Sequence, residues 1–351
     1  MAIIKWAIMG TGTIAKSFAQ GLCQLADAEL YAVGSRSLQH AEQFGERFPA
    51  QKYYGSYEAL VSDPDVDVVY IATPNSAHKD NILLCLNHAK SVLCEKPFTL
   101  NRHETAEVIR VAREKNLFLM EGMWTRFFPV YRQVREWLDA DAICPVRMVS
   151  ADFGFRREGP AEDRKVGLHR GGGALMDVGV YPISFASWVF RQVPSTITGV
   201  ASLYETVVDD LSAMTLLYPD GQVAVLSCSI NTPTQKEARI IGNKGTIVIP
   251  ELSKATSATL AVIGEAPVTV TFPLEGNGYN YQAAAVMACL RAGKTECELM
   301  PLDESLAILA CGGSVDCVSG GEISFSYCGA CTFISSLRFY NQFIKRNGVL
   351  F

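Results

Sequence analysis

The feature that most restricts the fold is a glycine turn near the start of the chain. Residues 3–9 form a short apolar run, and Gly10-Thr11-Gly12-Thr13-Ile14-Ala15 follows it directly. Residues 14–25 then carry an apolar period of helical type. The pattern reads as strand, tight turn and helix, with GxGxxA between the two elements. Glycine at 10 permits the turn, glycine at 12 lets a pyrophosphate approach the backbone, and the small Ala15 lets helix and strand pack closely. The N-terminus of the helix then faces the phosphates with unpaired N–H groups. A GxGxxA match by itself is weak, because tight turns use glycine anyway. Set between a strand and a helix, it marks residues 10–15 as a dinucleotide cradle.

The pattern that follows supports this reading. Strand-like runs at 29–35, 66–73, 90–94 and 117–121 alternate with amphipathic segments at 38–48, 77–88 and 102–116. Such alternation predicts a parallel βαβ sheet, and the continuous apolar run at 66–73 suits a strand covered on both faces. Beyond residue 145 the texture changes to eight strand-like segments between 147 and 272, with turn signals at Asp220-Gly221 and Asn243-Lys244-Gly245. The expected architecture is α/β: an N-terminal Rossmann domain with a parallel sheet over residues 1–121, then an α+β domain with a large, open, mostly antiparallel sheet over 122–309. Only helices at 174–190 and 279–292 accompany the second sheet in this reading, so its other face meets water or a second subunit. A homodimer or higher homo-oligomer is the expectation.

Composition narrows the partners. With 351 residues, 49% hydrophobic and 19% charged, the chain suits a compact two-domain protein. A net charge of -5 with no basic stripe argues against nucleic acid as a partner. No apolar run approaches the roughly 20 residues that span a bilayer, so no membrane partner is expected. The start of the chain reads as a buried strand rather than a signal peptide, and a cytoplasmic location follows as the default. Most of the 11 cysteines stand among apolar neighbours as free thiols. One CxxC pair, Cys328 and Cys331, has no second pair or histidine cluster beside it, so no metal site is expected.

The choice of nucleotide turns on the end of the second strand. An NAD-binding turn places an acid there to take the ribose hydroxyls. Here Ser35-Arg36-Ser37 stands instead. No carboxylate repels a 2′-phosphate, and Arg36 can pair with it or stack on the adenine, so NADP is preferred over NAD. Thr73-Pro74-Asn75-Ser76-Ala77-His78 follows the strand at 66–73, at the end where open α/β sheets keep their ligands. Pro74 stops the strand and Ser76 suits a helix cap. Thr73, Pro74, Asn75 and His78 join the candidate cofactor contacts.

Two further motifs bring reactive groups to the same rim. Glu95-Lys96-Pro97 ends the strand at 90–94, where a lysine would be costly to bury without water, a partner or a ligand. Later, Gly171-Gly172-Gly173-Ala174-Leu175-Met176-Asp177-Val178-Gly179-Val180-Tyr181-Pro182 enters a helix. Asp177 and Tyr181 stand four apart, so one helical face presents a carboxylate and a phenol together. A dehydrogenase must take a hydroxyl proton while hydride leaves carbon, and a phenol beside an ammonium can do this.

Taken in order, GTGTIA, ATPNSAH, CEKPF and GGGALMDVGVYP resemble the glucose–fructose oxidoreductase/inositol dehydrogenase/MocA family. The stretch Met120-Glu121-Gly122-Met123-Trp124-Thr125-Arg126-Phe127-Phe128-Pro129 resembles its branch of trans-dihydrodiol dehydrogenases and NADP-dependent D-xylose dehydrogenases. The resemblance runs from about residue 3 to Leu309. It implies Lys96 beside the nicotinamide with Asp177 and Tyr181, and Glu95 and Pro97 among the cofactor contacts. It implies Tyr181 as general acid/base tuned by Lys96, with exchanged roles left open, and Trp124, Arg126 and Phe127 around a sugar, polyol or dihydrodiol. From Ala310 the resemblance stops, and residues 310–351 read as a Gly- and Ser-rich tail that packs poorly. Two functions remain: hydride transfer between NADP and such a substrate, or an inactive or sensory NADP-binding paralogue of the same fold.

Overall fold

The computed structural model describes residues 2–158, 165–167, 170–312, 316–318 and 322–328. The N-terminal part runs β1 (Ile4–Met9), α1 (Thr13–Leu22), β2 (Ala28–Gly34), α2 (Leu38–Gly45), β3 (Lys52–Tyr54), α3 (Tyr57–Val61), β4 (Val68–Ile71), α4 (His78–Asn87), β5 (Ser91–Glu95), α5 (Arg102–Lys115) and β6 (Leu119–Gly122). Its six strands lie in the order β3-β2-β1-β4-β5-β6, and every pairing is parallel. This is the Rossmann order, with the direction of winding reversing between β1 and β4. The sequence suits it, since β4 reads Val-Val-Tyr-Ile and all four residues are buried, as a strand covered on both faces requires.

Two of these elements, β3 and α3, are absent from the sequence reading. The strand is three residues long and the helix five, so neither is long enough to show a period. Tertiary pairing onto β2 makes β3 a strand.

The second part contains α6 (Pro129–Asp139), β7 (Val146–Gly154), α7 (Val180–Phe190), β8 (Thr196–Leu203), β9 (Asp209–Leu217), β10 (Val223–Ser229), β11 (Ala238–Gly242), β12 (Gly245–Ile249), β13 (Ser257–Val262), β14 (Val268–Thr271), α8 (Tyr279–Arg291), α9 (Leu302–Gly312), β15 (Asp316–Val318) and β16 (Glu322–Cys328). The ten strands form one sheet ordered β14-β13-β12-β11-β7-β10-β9-β8-β16-β15. Only β7 and β10 pair in parallel among the pairings described; the rest are antiparallel. Helix α7 packs on the inner face, against β7, β10 and β11. On the outer face Val200, Leu211, Leu217 and Val225 stay exposed, as strict alternation along a half-buried sheet dictates.

The tail expected from residue 310 is described only in part. Helix α9 continues to Gly312, and β16 pairs with β8 on one side and with the edge strand β15 on the other. The rest of that expectation, and Cys331 with it, lies outside the described residues.

The two parts are joined by chain that returns late. Helix α8 packs on α1, Asn277 Nδ2 donates to Ser17 O at 2.7 Å, and Leu119 N donates to Thr295 O at 3.1 Å. The core is accordingly continuous from Trp6 and Phe18 through Trp124 and Tyr131 to Ile240 and Met287.

Candidate active site

The crevice opens at the carboxyl ends of β1 and β4, where the strand order reverses. Gly10 turns the chain out of β1 with φ +100, a value other residues rarely adopt. A Cβ there would also meet Ala72 O at 2.9 Å, so glycine is required twice over. Gly12 differs, because a Cβ on it would meet nothing within 4 Å. It is the N-cap of α1, lies open to the crevice, and makes no side-chain capping bond. The first turn of α1 holds no acid either, leaving its N–H groups and the positive end of its dipole to an anion. Thr11 and Thr13 flank this opening, Ile14 is half-buried, and Ala15 is fully buried where helix meets sheet. The turn therefore fits a dinucleotide pyrophosphate by its own geometry.

Around the crevice, the residues expected to hold the cofactor divide into two groups. Ser35 is buried and its N donates to Tyr54 O at 3.0 Å, while Arg36 beside it is exposed. Pro74 is exposed after β4, and Asn75 begins a 3-10 turn, Asn75–Ala77, with its Nδ2 donating to Gly171 O at 3.0 Å. Thr73 Oγ1 accepts from Asn81 Nδ2 at 2.9 Å.

His78 departs from expectation. Its side chain is fully buried, with Nδ1 2.8 Å from Pro97 O and Nε2 3.0 Å from Thr73 O. Burial holds its pKa below the ordinary imidazole value, although both carbonyls pull the other way. His78 therefore ties the loop after β4 to the loop after β5. Glu95 likewise points inward, where Tyr70 Oη donates to its Oε1, and Pro97 is buried.

The three expected catalytic residues converge just beyond β5. Lys96 Nζ donates to Asp177 O at 2.6 Å, lies 3.6 Å from Asp177 Oδ1, and sits 5.0 Å from the centre of the Tyr181 ring. Asp177 belongs to a π-helical turn, Leu175–Gly179, that leads into α7, and Tyr181 stands on that helix's first turn. The turn is anchored from the sheet: Leu175 N donates to Asp209 Oδ2 at 2.8 Å, which also accepts from Ser212 Oγ at 2.7 Å. Trp124 Nε1 donates to Tyr181 Oη at 3.1 Å. Burial raises the Tyr181 pKa, and the Lys96 ammonium and the Trp124 bond oppose that rise by favouring the phenolate.

Three expected substrate contacts separate here. Trp124 lies in the site, with its ring stacked on Tyr279 at 4.7 Å. Arg126 does not, and this corrects the expectation. Its buried guanidinium is held by Ser184 Oγ at 2.9 Å, Ser184 O at 2.8 Å and the carboxylate of Glu304 on α9. A buried charge needs such a counter-charge, and Glu304 supplies it. Phe127 and Arg126 line a separate cavity of ≈ 600 Å³ between α6, α7 and α9, and Lys96, Asp177 and Tyr181 are not on its wall.

Several site residues escaped sequence reading. Phe153 on β7 lies 5.1 Å from the Tyr181 ring, and Tyr279 floors Trp124. Gly278, at φ +90, lets α8 start close beneath Trp124, where a Cβ would meet its ring at 3.3 Å. The glycine in Gly276-Asn277-Gly278-Tyr279 was the available signal. Glu121 is fully buried, accepts from Phe98 N at 3.2 Å, and is pushed by burial to a pKa of about 7.

Comparison with known proteins decides the family. A model described as "Oxidoreductase family, NAD-binding Rossmann fold" matches residues 4–123, and one described as "GFO/IDH/MocA C-terminal domain" matches 131–248. The chain is a member of the Gfo/Idh/MocA oxidoreductase family. The chain is also similar to trans-1,2-dihydrobenzene-1,2-diol dehydrogenases. That of Xenopus tropicalis is 38% identical over 86% of this chain and 93% of its own length, and that of Mus musculus is 39% identical over 86% and 92%. Among solved structures, a 3-ketoreductase of Actinomadura kijaniata in complex with NADP and TDP-benzene superposes with TM-score 0.79 at 25% identity, covering 88% of this chain and 96% of that one. An aldose-aldose oxidoreductase of Caulobacter crescentus complexed with glycerol gives TM-score 0.80 at 25% identity, over 88% and 94%.

Proposed function

We propose that this oxidoreductase transfers hydride between NADP and a trans-dihydrodiol, aldose or cyclic polyol. The observation that carries the reading is the meeting of Lys96, Asp177 and Tyr181 at the rim where the glycine turn opens. The nicotinamide, when bound, supplies the hydride acceptor or donor. Tyr181 Oη is the atom that takes the substrate's hydroxyl proton in oxidation and returns it in reduction. Trp124 Nε1, donating to that oxygen, stabilises its deprotonated form. Lys96 adds positive charge on the ring side, and Asp177 fixes the ammonium through its carbonyl and carboxylate. Trp124, Tyr279 and Phe153 give the site aromatic walls that exclude water and suit a ring-shaped substrate.

NADP is favoured over NAD because β2 is followed by exposed Arg36 and no acid. The dihydrodiol dehydrogenase relatives support the diol as substrate, and the aldose-aldose oxidoreductase supports the sugar. The exposed outer face of the ten-stranded sheet supports a homodimer. No helix among the described residues is long and apolar enough to cross a membrane.

The test is binding of NADP and NAD to the purified protein, followed by turnover with a trans-dihydrodiol and D-xylose, for wild type and Lys96→Ala. Tight NADP binding with turnover reduced about 10²–10⁴-fold in the variant is the expected result. NADP binding with no turnover over a wide diol and polyol panel would establish the inactive or sensory paralogue instead.

A further inference from the structure

Three side chains of one short stretch reach both the turn that bears Lys96 and the helix that bears Tyr181. The stretch is the end of β6 and the 3-10 turn Trp124–Phe127 that follows it. Glu121 Oε1 accepts from Phe98 N at 3.2 Å, two residues beyond Lys96. Trp124 Nε1 donates to Tyr181 Oη at 3.1 Å. Arg126 donates from Nε to Ser184 Oγ at 2.9 Å and from Nη2 to Ser184 O at 2.8 Å, three residues beyond Tyr181 on α7.

Glu121 and Arg126 are both buried, and an apolar side chain would fill either place without the cost of desolvating a charge. Their charges are explained by what they hold. The pairing of β6 with β5 runs to Gly122 opposite Glu95 and stops there. Beyond it, the turn Lys96-Pro97-Phe98 is held by His78 at Pro97 O and by Glu121 at Phe98 N. Helix α9 backs the arrangement with two consecutive residues. Glu304 accepts from Nη1 and Nη2 of Arg126, and the fully buried Ser305 faces the Glu121 carboxyl. Arg126 itself favours the charged form of Glu121.

We infer that Glu121 and Arg126 are positioning residues, which set the distance and direction from Lys96 to Tyr181 by fixing the backbone of the Lys96 turn and of α7. This rests on the catalytic roles proposed for Lys96 and Tyr181. Glu121 acts through Phe98, and Arg126 acts through Ser184. The Lys96 ammonium lies against the Asp177 carbonyl, just before α7, so a shift of either backbone opens that contact. A misplacement of about 1 Å between reacting groups costs about a hundredfold in rate.

The experiment compares the full chain as wild type, Glu121→Gln, Glu121→Leu and Arg126→Lys. Acetic anhydride labels lysines of the native protein, and mass spectrometry reads the rate at Lys96 against that at Lys79, which pairs with Glu107. Steady-state kinetics with NADP and a trans-dihydrodiol, and calorimetry of NADP binding, run beside it. Glu121→Gln keeps an oxygen for Phe98 N and should match wild type in every readout. Glu121→Leu removes that oxygen, and Lys96 labelling should rise about threefold or more relative to Lys79. Its kcat should fall about ten- to a hundredfold while KM and NADP affinity stay within about threefold. Arg126→Lys keeps a charge for Glu304 but cannot serve both oxygens of Ser184, and should give the same labelling rise and the same split. Unchanged Lys96 labelling in Glu121→Leu overturns the proposal, and Arg126→Lys decides in the same way should Glu121→Leu not fold. A kcat loss matched by equal losses of NADP affinity and of folded protein also overturns it, because both residues then only stabilise the chain. No turnover by wild type sinks the proposed reaction, and the labelling still decides the positioning.

Discussion

On the proposed mechanism, Lys96 and Tyr181 share control of one proton. Burial raises the pKa of Tyr181, and Lys96 and Trp124 work against that rise. With Tyr181 as the proposed base, oxidation uses the phenolate, so kcat/KM in that direction should climb as pH rises towards the Tyr181 pKa. Replacing Trp124 by Phe removes a donor that favours the phenolate, and the rising limb should move to higher pH. Tyr181→Phe should lower kcat by about 10²–10⁴-fold and abolish the limb. A limb that persists in Tyr181→Phe and vanishes in Lys96→Met would assign the proton to lysine instead. At this scale the sequence was informative where a residue type is costly without a reason: a lysine ending a buried strand, or an arginine where an acid usually stands. It was silent where cost depends on neighbours. Nothing about Arg126 reveals that Ser184 and Glu304, far along the chain, engage its guanidinium. Nothing about His78 shows that two carbonyls from different loops enclose it.

The glycine turn shows how one element serves stability and binding through different residues. Gly10 is held by its backbone angle and by Ala72, so Gly10→Ala should destabilise the protein by about 1–3 kcal/mol in urea unfolding. Gly12 has an extended backbone, φ -74 and ψ -173, and open space before it. Gly12→Ala should leave stability within about 0.5 kcal/mol and weaken dinucleotide binding about tenfold or more, as a methyl group enters the space of the pyrophosphate. Equal loss of stability in both variants would refute the division. Elements of this length were legible because strand, turn and helix each carry a local signal. The three-residue β3 and the five-residue α3 carry none, and the π-turn at Leu175–Gly179 looks like ordinary helix in sequence. Its geometry is imposed by Asp209, which captures the N–H of Leu175 from a strand not yet made when the turn is synthesised.

Across the whole molecule, the second sheet was legible as alternating strands, but its pairing order was not, because β7 joins β10 and β11 across long stretches of chain. Its outer face carries Val200, Leu211, Leu217 and Val225 in the open, where the paired outward positions bring Val225 opposite Thr215 and Val200 opposite Ala213. If a second copy covers this face, Val225→Lys should shift the sedimentation coefficient from dimer to monomer while the cofactor still binds. A wild-type monomer at micromolar concentration would remove the dimer from the account. The return of α8 to α1 has a different consequence, one that concerns time. The glycine turn and all six parallel strands leave the ribosome long before Tyr279, which sits against Phe18 and whose Cβ crowds the position a side chain at Gly21 would take. At about 5–20 residues per second, the nascent Rossmann part waits roughly 10–30 s for the helix that covers it. During that interval Phe18 already packs on Trp6 and Tyr70 of the parallel sheet, while the side of α1 around Gly21 that α8 covers is bare, which makes this a stage of biogenesis at which a chaperone has something to shield.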